Sequence, residues 1–155
     1  MTIQQQKSAV ISTQGHLGYL VGTLGSAMRK GLEDELAPMS VTPAQWVILE
    51  AAFDGSADTL TSLARIIPVD AAAISRQLDK LQQRGLVRRR RLRSDRRTVR
   101  IELTEAGREL VPKLAPLVRV NNSRFLSEIT TDEQAAFTQT IQKMIQNADT
   151  AMDRD

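Results

Sequence analysis

Residues 70–104 constrain the possible folds of this chain most. They contain, one after another, an amphipathic pattern, a glycine and a dense run of arginines. Between Arg84 and Arg100 there are nine arginines and a single acid, Asp95, so this stretch carries a charge of +8. The whole chain carries only +3, so its other residues sum to −5. Positive charge is therefore concentrated at one place, which is typical of proteins that bind nucleic acids.

A helix is predicted at the start of this stretch, from Asp70 onward. The Asp70 carboxylate suits the first turn of a helix, where it caps backbone N–H groups and meets the positive end of the helix dipole. The apolar residues that follow share one helical face: Ile74, Leu78 and Leu81. At about 100° per residue, Ala72 and Arg76 point nearly opposite to that face. Three further side chains flank them: Ala73, Ser75 and Lys80.

A β-hairpin is predicted directly after this helix. Gly85 is suited to end the helix in the left-handed conformation. Leu86-Val87 begins one strand, and residues 98–103 alternate apolar and polar side chains in a second strand. Residues 59–67 predict a shorter helix before Asp70, so the two helices form a helix-turn-helix. With the hairpin added, the sequence predicts a winged helix-turn-helix over residues 42–104.

Helical periodicity continues on both sides of residues 42–104. It covers residues 13–37 and residues 105–150, where Pro112 and Pro116 are expected to kink or interrupt the helix early. Both segments have apolar faces longer than a winged helix of this size needs for its own burial, so we predict that they form dimerisation helices. The expected fold class is mainly α with a small β-hairpin wing, in which the N- and C-terminal helices form a helical dimerisation domain.

Local signals refine the predicted helices. Thr42 and Pro43 are suited to the cap and first position of one helix, and Thr104 to the cap of another. Residues 131–134 have the spacing of a capping box and open the last helix. The helix after Pro43 has an apolar face, and Trp46 on it is expected to lie in the core. The residues of this face are Trp46, Val47, Leu49, Ala51 and Phe53.

Four glycines recur at three- and four-residue steps in the first predicted helix: Gly15, Gly18, Gly22 and Gly25. Each interior glycine costs about 0.5–1 kcal/mol relative to alanine. The stripe therefore indicates a close approach to the backbone, either by a tightly packed partner helix or by a ligand.

Composition excludes several classes of site. The chain has no cysteine and one histidine, His16, so it lacks the residues for disulfides, thiol chemistry or a Cys/His metal cluster. No apolar run is long enough to span a membrane, and the N-terminus does not have the pattern of a secretory signal. We find no nucleophile–base pair or phosphate loop. The expectation is a cytoplasmic protein that is not an enzyme, has no cofactor or metal, and has no membrane partner.

Several ordered motifs resemble the MarR family of bacterial transcription regulators. The resemblance covers roughly residues 16–145 and includes the segment TPAQWVILEAA. Its most specific motifs lie between the second helix of the helix-turn-helix and the end of the hairpin: Ser75-Arg76, Leu81 to Val87, Asp95-Arg96-Arg97 and Leu103-Thr104-Glu105. The whole chain, residues 1–155, is thereby identified as one chain of this type.

The resemblance implies a homodimer that binds a pseudo-palindromic DNA operator. In most cases such proteins repress transcription and are released by a small molecule, often an aromatic acid. By the resemblance, Arg97 is the wing arginine that enters the minor groove, and Asp95 holds its guanidinium. Arg76, with Ala72 and Ala73, sits where the family's recognition helix meets the major groove.

The residues themselves are suited to these roles. Arg76 can form a bidentate pair with guanine, and Ala72 and Ala73 can pack against thymine methyl groups. Arg96 can accompany Arg97 in a narrow minor groove. The other candidates flank the base-reading face or neutralise phosphates: Ser75, Lys80, Arg91 and Arg93. The alternating strand prevents residues 88–91 from all facing DNA.

The sequence leaves other interpretations open. A nucleoid or RNA-binding winged-helix protein would share the charge but show no preference for a palindrome. Binding of the arginines to a membrane or an acidic protein would also be sensitive to salt. No ligand-binding residue is assigned, although five side chains could border a pocket: His16, Tyr19, Met28, Trp46 and Arg119.

Overall fold

A computed structural model describes residues 16–67, 69–91 and 99–152 of the chain. Among these residues the fold is mainly α with one two-stranded hairpin, as predicted. The elements follow in chain order: α1 (Leu17–Leu36), a 3₁₀ turn (Ala37–Met39), α2 (Pro43–Asp54), α3 (Leu60–Ile66), α4 (Ala71–Gln83), β1 (Val87–Arg91), β2 (Val99–Leu103), α5 (Glu105–Phe125) and α6 (Thr131–Met152).

The chain divides into two compact units after Asn121, and the hydrophobic core lies in the first. Trp46 is in this core, with 4% of its surface exposed, as predicted. Phe53 belongs to the same apolar face of α2 but is 51% exposed. Phe53 is in the last turn of α2, just before Gly55 ends the helix in the left-handed conformation. The core beneath this face therefore ends before it reaches Phe53.

Side-chain caps set the start of the helices around the core. Thr42 and Gln45 form a capping box at α2, in which the Thr42 hydroxyl accepts a hydrogen bond from the Gln45 N–H and the Gln45 side chain accepts one from the Thr42 N–H. Thr59 and Ser62 form the same arrangement at α3. Each box satisfies backbone donors that a helix start otherwise leaves open.

The hairpin pairs β1 and β2 antiparallel, with Val87 opposite Leu103 and Arg91 opposite Val99. A third segment extends this sheet on the far side of β2, because Thr59 forms an isolated bridge with Arg100. Adjacent to that bridge, the Ile101 N–H donates to the Asp58 carbonyl over 2.6 Å. The wing is thereby joined to the segment that leads into α3.

Helix α5 is joined tightly to the hairpin. The Thr104 hydroxyl accepts a hydrogen bond from the Gly107 N–H at 3.1 Å and caps the helix, as predicted. A Cβ atom at Gly107 would collide with the Leu86 carbonyl oxygen, so this position requires glycine. Further along α5, the buried Asn121 side chain donates to the Met28 carbonyl of α1. The first unit therefore brings α1 and α5 together.

The expected interruption of α5 by its two prolines is wrong, because the helix runs from Glu105 through Pro112 and Pro116 to Phe125. A proline has no backbone N–H group, so it cannot donate a hydrogen bond to the carbonyl four residues earlier. Both prolines are exposed, so water can satisfy the carbonyls that lose their partners. The hydrogen bonds on the other sides of the helix keep it continuous.

In the second unit, α6 begins one residue earlier than its predicted capping box implies. Thr130 and Glu133 form the box: the Glu133 carboxylate accepts from the Thr130 N–H at 2.9 Å, and the Thr130 hydroxyl accepts from the Glu133 N–H. Large apolar side chains of α6 are exposed: Phe137, Met144 and Ile145. None of the helices in the described part of the chain is both long and apolar enough to cross a membrane.

The glycines of α1 are not packed against any described part of this chain. A Cβ atom at Gly22 or Gly25 would meet nothing within 4 Å, and one at Gly18 would make ordinary contact with the His16 ring. Gly15 lies outside the described residues. The same helix exposes several apolar side chains: Leu17, Tyr19, Leu20, Val21 and Leu24. Within one chain, the described residues therefore do not supply a helix packed closely against Gly22 and Gly25.

Candidate nucleic-acid interface

Helix α4 is fixed so that one face points away from the core. The Asp70 carboxylate caps it by accepting from the Ala73 N–H at 2.7 Å. Its inward side chains are almost completely buried: Ile74, Leu78 and Leu81. As the helical period requires, Ala72 and Arg76 are exposed on the opposite side.

The flanking residues of α4 are arranged as the period predicts. Lys80 is exposed, whereas Ala73 and Ser75 are half-buried at the edges of the face. Arg76 and Lys80 have no ion pair or side-chain hydrogen bond with any described residue. Their charges are therefore available to an external partner.

A hydrogen bond between two side-chain amides, one of them buried, holds α4 against α2 and was missed by sequence reasoning. Gln45, which is 4% exposed, donates from Nε2 to Oε1 of Gln77 over 3.1 Å. Gln77 lies next to Arg76 in the chain, so this bond fixes the rotation of α4 near its exposed face. In the sequence, Gln45 lies at the position of a capping residue in the first turn of α2, and nothing there indicates a bond to Gln77.

Arg89 connects the hairpin to the same helix. Its guanidinium forms an ion pair with Asp79 and donates to the Ser75 carbonyl at 3.3 Å and to the Gln82 side chain at 3.4 Å. These three acceptors lie at successive turns of α4. Arg89 therefore sets the orientation of the wing relative to the exposed face of α4.

The neighbouring arginines of β1 lie on the other face of the hairpin, which we call the outer face. Arg88 forms an ion pair with Glu102 at 2.8 Å, and Arg90 approaches the same carboxylate at 3.6 Å. The hydrogen bond from Arg88, followed by the charges of Arg88, Arg90 and Arg100, lowers the pKa of Glu102. Arg100 in turn pairs with Asp58 at 2.7 Å.

Fewer arginines of residues 84–100 are therefore available to an external partner than the sequence indicates. Arg84 donates to the carbonyls of Ser40 and Met39, and four other arginines face carboxylates: Arg88, Arg89, Arg90 and Arg100. Those carboxylates, on Asp58, Asp79 and Glu102, lie outside residues 84–100, so counting that stretch alone overstates the local charge. Arg91 is exposed and pairs with no described acid. The predicted wing-tip residues lie outside the described residues: Arg93, Asp95, Arg96 and Arg97.

Helices α3 and α4 with the attached hairpin define a winged helix-turn-helix protein. The model of the MarR family matches residues 41–99, which contain these elements up to the start of β2. A solved transcriptional regulator of the MarR family from Silicibacter pomeroyi is 30% identical, with a TM-score of 0.77, over 88% of this chain and 92% of that chain. The chain belongs to the MarR family of transcriptional regulators.

Two further solved structures are similar. Apo wild-type MarR from E. coli is 26% identical, with a TM-score of 0.70, over 87% of this chain and 98% of that chain. A MarR family protein from Mycobacterium tuberculosis, in complex with p-aminosalicylic acid, is 28% identical, with a TM-score of 0.68, over 83% of this chain and 98% of that chain. Both extend the likeness well beyond residues 41–99.

Proposed function

We propose that this protein is a sequence-specific regulator that binds a pseudo-palindromic DNA operator and represses transcription. The observation that carries the proposal is the exposed face of α4, where Ala72 and Arg76 lie opposite the buried side chains. A helix held by a buried face and capped at its N-terminus can enter the major groove with its outer residues toward the base edges.

Arg76 is assigned to base reading because its guanidinium has no partner among the described residues. A bidentate pair with guanine contributes about 1–3 kcal/mol of discrimination against other bases. Ala72 and Ala73 are assigned to thymine methyl groups, and Ser75 to the edge of the interface. Exposed cations near them, Lys80 and Arg91, are assigned to phosphates.

The wing-tip assignments depend on the family resemblance. Arg97 is proposed to enter the minor groove, with Arg96 beside it and Asp95 orienting the Arg97 guanidinium. Arg93 is proposed to neutralise a phosphate. A narrow A·T minor groove attracts such arginines through its strong negative potential, so this contact would read groove shape.

A homodimer is proposed because two helices expose apolar faces that the described residues of the chain do not cover. The exposed side chains of α1 include Leu17 and Leu20, and those of α6 include Phe137 and Ile145. Large exposed apolar patches mark interaction surfaces. A two-fold dimer would present two copies of α4 to two half-sites, which explains the expected palindrome.

Release by a small aromatic or anionic ligand is also proposed. The support is that the related protein from Mycobacterium tuberculosis is solved in complex with p-aminosalicylic acid. Adding this compound to the protein–operator complex should weaken binding. An unchanged affinity would remove this compound from the candidates but would leave DNA recognition unaffected.

Selection from random duplexes tests the proposed function. We expect an enriched inverted repeat that binds at least about 10³ times more tightly than a scrambled duplex at the same salt concentration. The scrambled duplex is the matched control because phosphate contacts contribute equally to both. Equal affinity for the two would contradict sequence-specific recognition and favour a nucleoid or RNA-binding role.

A further inference from the structure

The outer face of the hairpin borders a cleft of about 470 Å³, which we call the outer wing cleft. It is lined by residues from the end of α2, the segment after it, both strands and the start of α5, including four arginines: Arg88, Arg90, Arg100 and Arg108. Its volume is that of a small-molecule site. The cleft lies on the opposite face of the hairpin from Arg89 and α4.

Charge is unbalanced in this cleft. Four guanidinium groups and two carboxylates, those of Asp58 and Glu102, line it, which leaves a net charge of +2. The strand register places Arg90 directly opposite Arg100. Like charges at directly opposed positions destabilise a strand pair, so a bound anion would relieve this repulsion.

Two of the guanidiniums have donors to spare. Arg90 is 3.6 Å from the Glu102 carboxylate, which is too long for a hydrogen bond. To the described residues, the Arg108 side chain makes one hydrogen bond, 3.3 Å long, to the Leu103 carbonyl. A guanidinium can donate five hydrogen bonds and pairs in a bidentate manner with phosphate oxygens. Both side chains can therefore bind an anion without breaking a close ion pair.

One wall of the cleft is apolar. Ala52, Phe53 and Gly55 provide it, and the Phe53 ring is half-exposed although it follows the core-facing pattern of α2. A ligand with a planar apolar group could cover this ring while its charged group meets Arg90. The exposure of Phe53 and the excess of positive charge thus occur at the same place.

We propose that the outer wing cleft binds a phosphate ester group, and that Arg90 and Arg108 are the residues that bind it. A free phosphate monoester is a dianion, so its charge matches the net charge of the cleft. The other possible source is a phosphodiester of the DNA backbone, which carries one negative charge. Because the cleft faces away from α4, a free ligand would leave Arg76 uncovered.

The first experiment uses phenyl phosphate and the full-length protein without DNA, by isothermal titration at constant ionic strength in chloride. We expect saturable binding to the wild-type protein. Arg90→Ala should weaken it about tenfold, since hydrogen bonds between charged groups are the strong ones. Glu102→Gln should strengthen it, because the variant removes a competing negative charge.

The matched control is Arg29→Ala, which removes the same charge from an exposed side chain of α1 that does not line the cleft. It should bind phenyl phosphate within about twofold of wild type, because salt screens an exposed charge outside the cleft. Absence of saturable binding, or equal losses in Arg90→Ala and Arg29→Ala, would overturn the proposal. Neither result would bear on operator recognition, because no DNA is present.

A second experiment separates the two sources of phosphate, using the operator found by selection. If DNA supplies the group, Arg90→Ala should lower the slope of log affinity against log salt by about one, and phenyl phosphate should compete with DNA. If a free organic phosphate supplies it, the slope should be unchanged and phenyl phosphate should bind the protein–DNA complex as well. Either result supports the cleft as a phosphate site.

Discussion

Glu102 is the residue whose ionisation matters most for the outer face of the hairpin. It is the carboxylate that both Arg88 and Arg90 approach, and the hydrogen bond from Arg88 is the main cause of its lowered pKa. A carboxyl group with a lowered pKa in the folded protein stabilises it above the ordinary pKa, near 4.5. That contribution is lost as the pH falls through the lowered value.

Glu102→Gln should therefore reduce the stability of the protein at pH 7, and the difference from wild type should shrink at pH 3. Urea unfolding at the two pH values measures this. The matched control is Glu109→Gln on α5, for which no ion pair is seen with any described residue. A deficit of the same size at both pH values would show that Glu102 acts by packing rather than by charge.

At the scale of single residues, the exposed face of α4 was predictable because it follows from the helical period alone. Ala72 and Arg76 are exposed, as that period requires. The partners of the arginines were not predictable, because Asp58 and Asp79 approach the hairpin only after the chain folds. Strand alternation indicates that Arg88 and Arg89 face opposite sides, but it does not indicate which acids lie there.

The orientation of β1 relative to α4 depends on Arg89. Its guanidinium reaches acceptors on three turns of α4, including the Asp79 carboxylate. The pair is partly exposed, so its loss should reduce stability by less than about 1 kcal/mol. Its loss should reduce operator affinity more, about tenfold, because the wing and α4 would no longer be held at the angle that contacts DNA.

Asp79→Asn separates this role from general electrostatics. Removing a negative charge near DNA should strengthen binding if only the total charge matters. If Arg89 positions the wing through Asp79, the variant should instead bind the operator more weakly, as Arg89→Lys should. Fluorescence anisotropy with the selected duplex measures both. Tighter binding by Asp79→Asn would contradict the positioning role.

At the scale of elements, the start and type of most helices were predictable, because caps and apolar periods are local. The Thr42, Asp70 and Thr104 caps are examples. The continuity of α5 through its prolines was not predictable, since it depends on the exposure of the helix side that loses hydrogen bonds. The requirement for Gly107 depends on the Leu86 carbonyl, which only the packed hairpin brings near it.

For the whole molecule, the described core belongs to the first unit, and α6 in the second unit leaves its large apolar side chains exposed. The dimerisation role of residues 13–37 and 105–150 stays a prediction, because a single chain shows uncovered surfaces but not what covers them. The glycines of α1 illustrate this limit, since Gly22 and Gly25 meet no described residue of their own chain.

Deleting residues 131–155 tests the dimer. The truncated chain should be monomeric or insoluble, because it loses the apolar face of α6, whereas the full chain should have twice the mass of one protomer. Sedimentation equilibrium measures both masses. Arg65→Ala, a change of an exposed side chain in α3, is the control and should stay dimeric. A soluble truncated dimer would contradict the assignment of α6 to the interface.

Arg76 on the exposed face of α4 is the residue proposed to read bases. The most direct measurement replaces each base pair of the selected duplex in turn and compares wild type with Arg76→Ala. We expect the variant to lose discrimination, about 1–3 kcal/mol, at one position in each half-site and to keep it elsewhere. A uniform loss of affinity across all duplexes would contradict it and make Arg76 a phosphate contact.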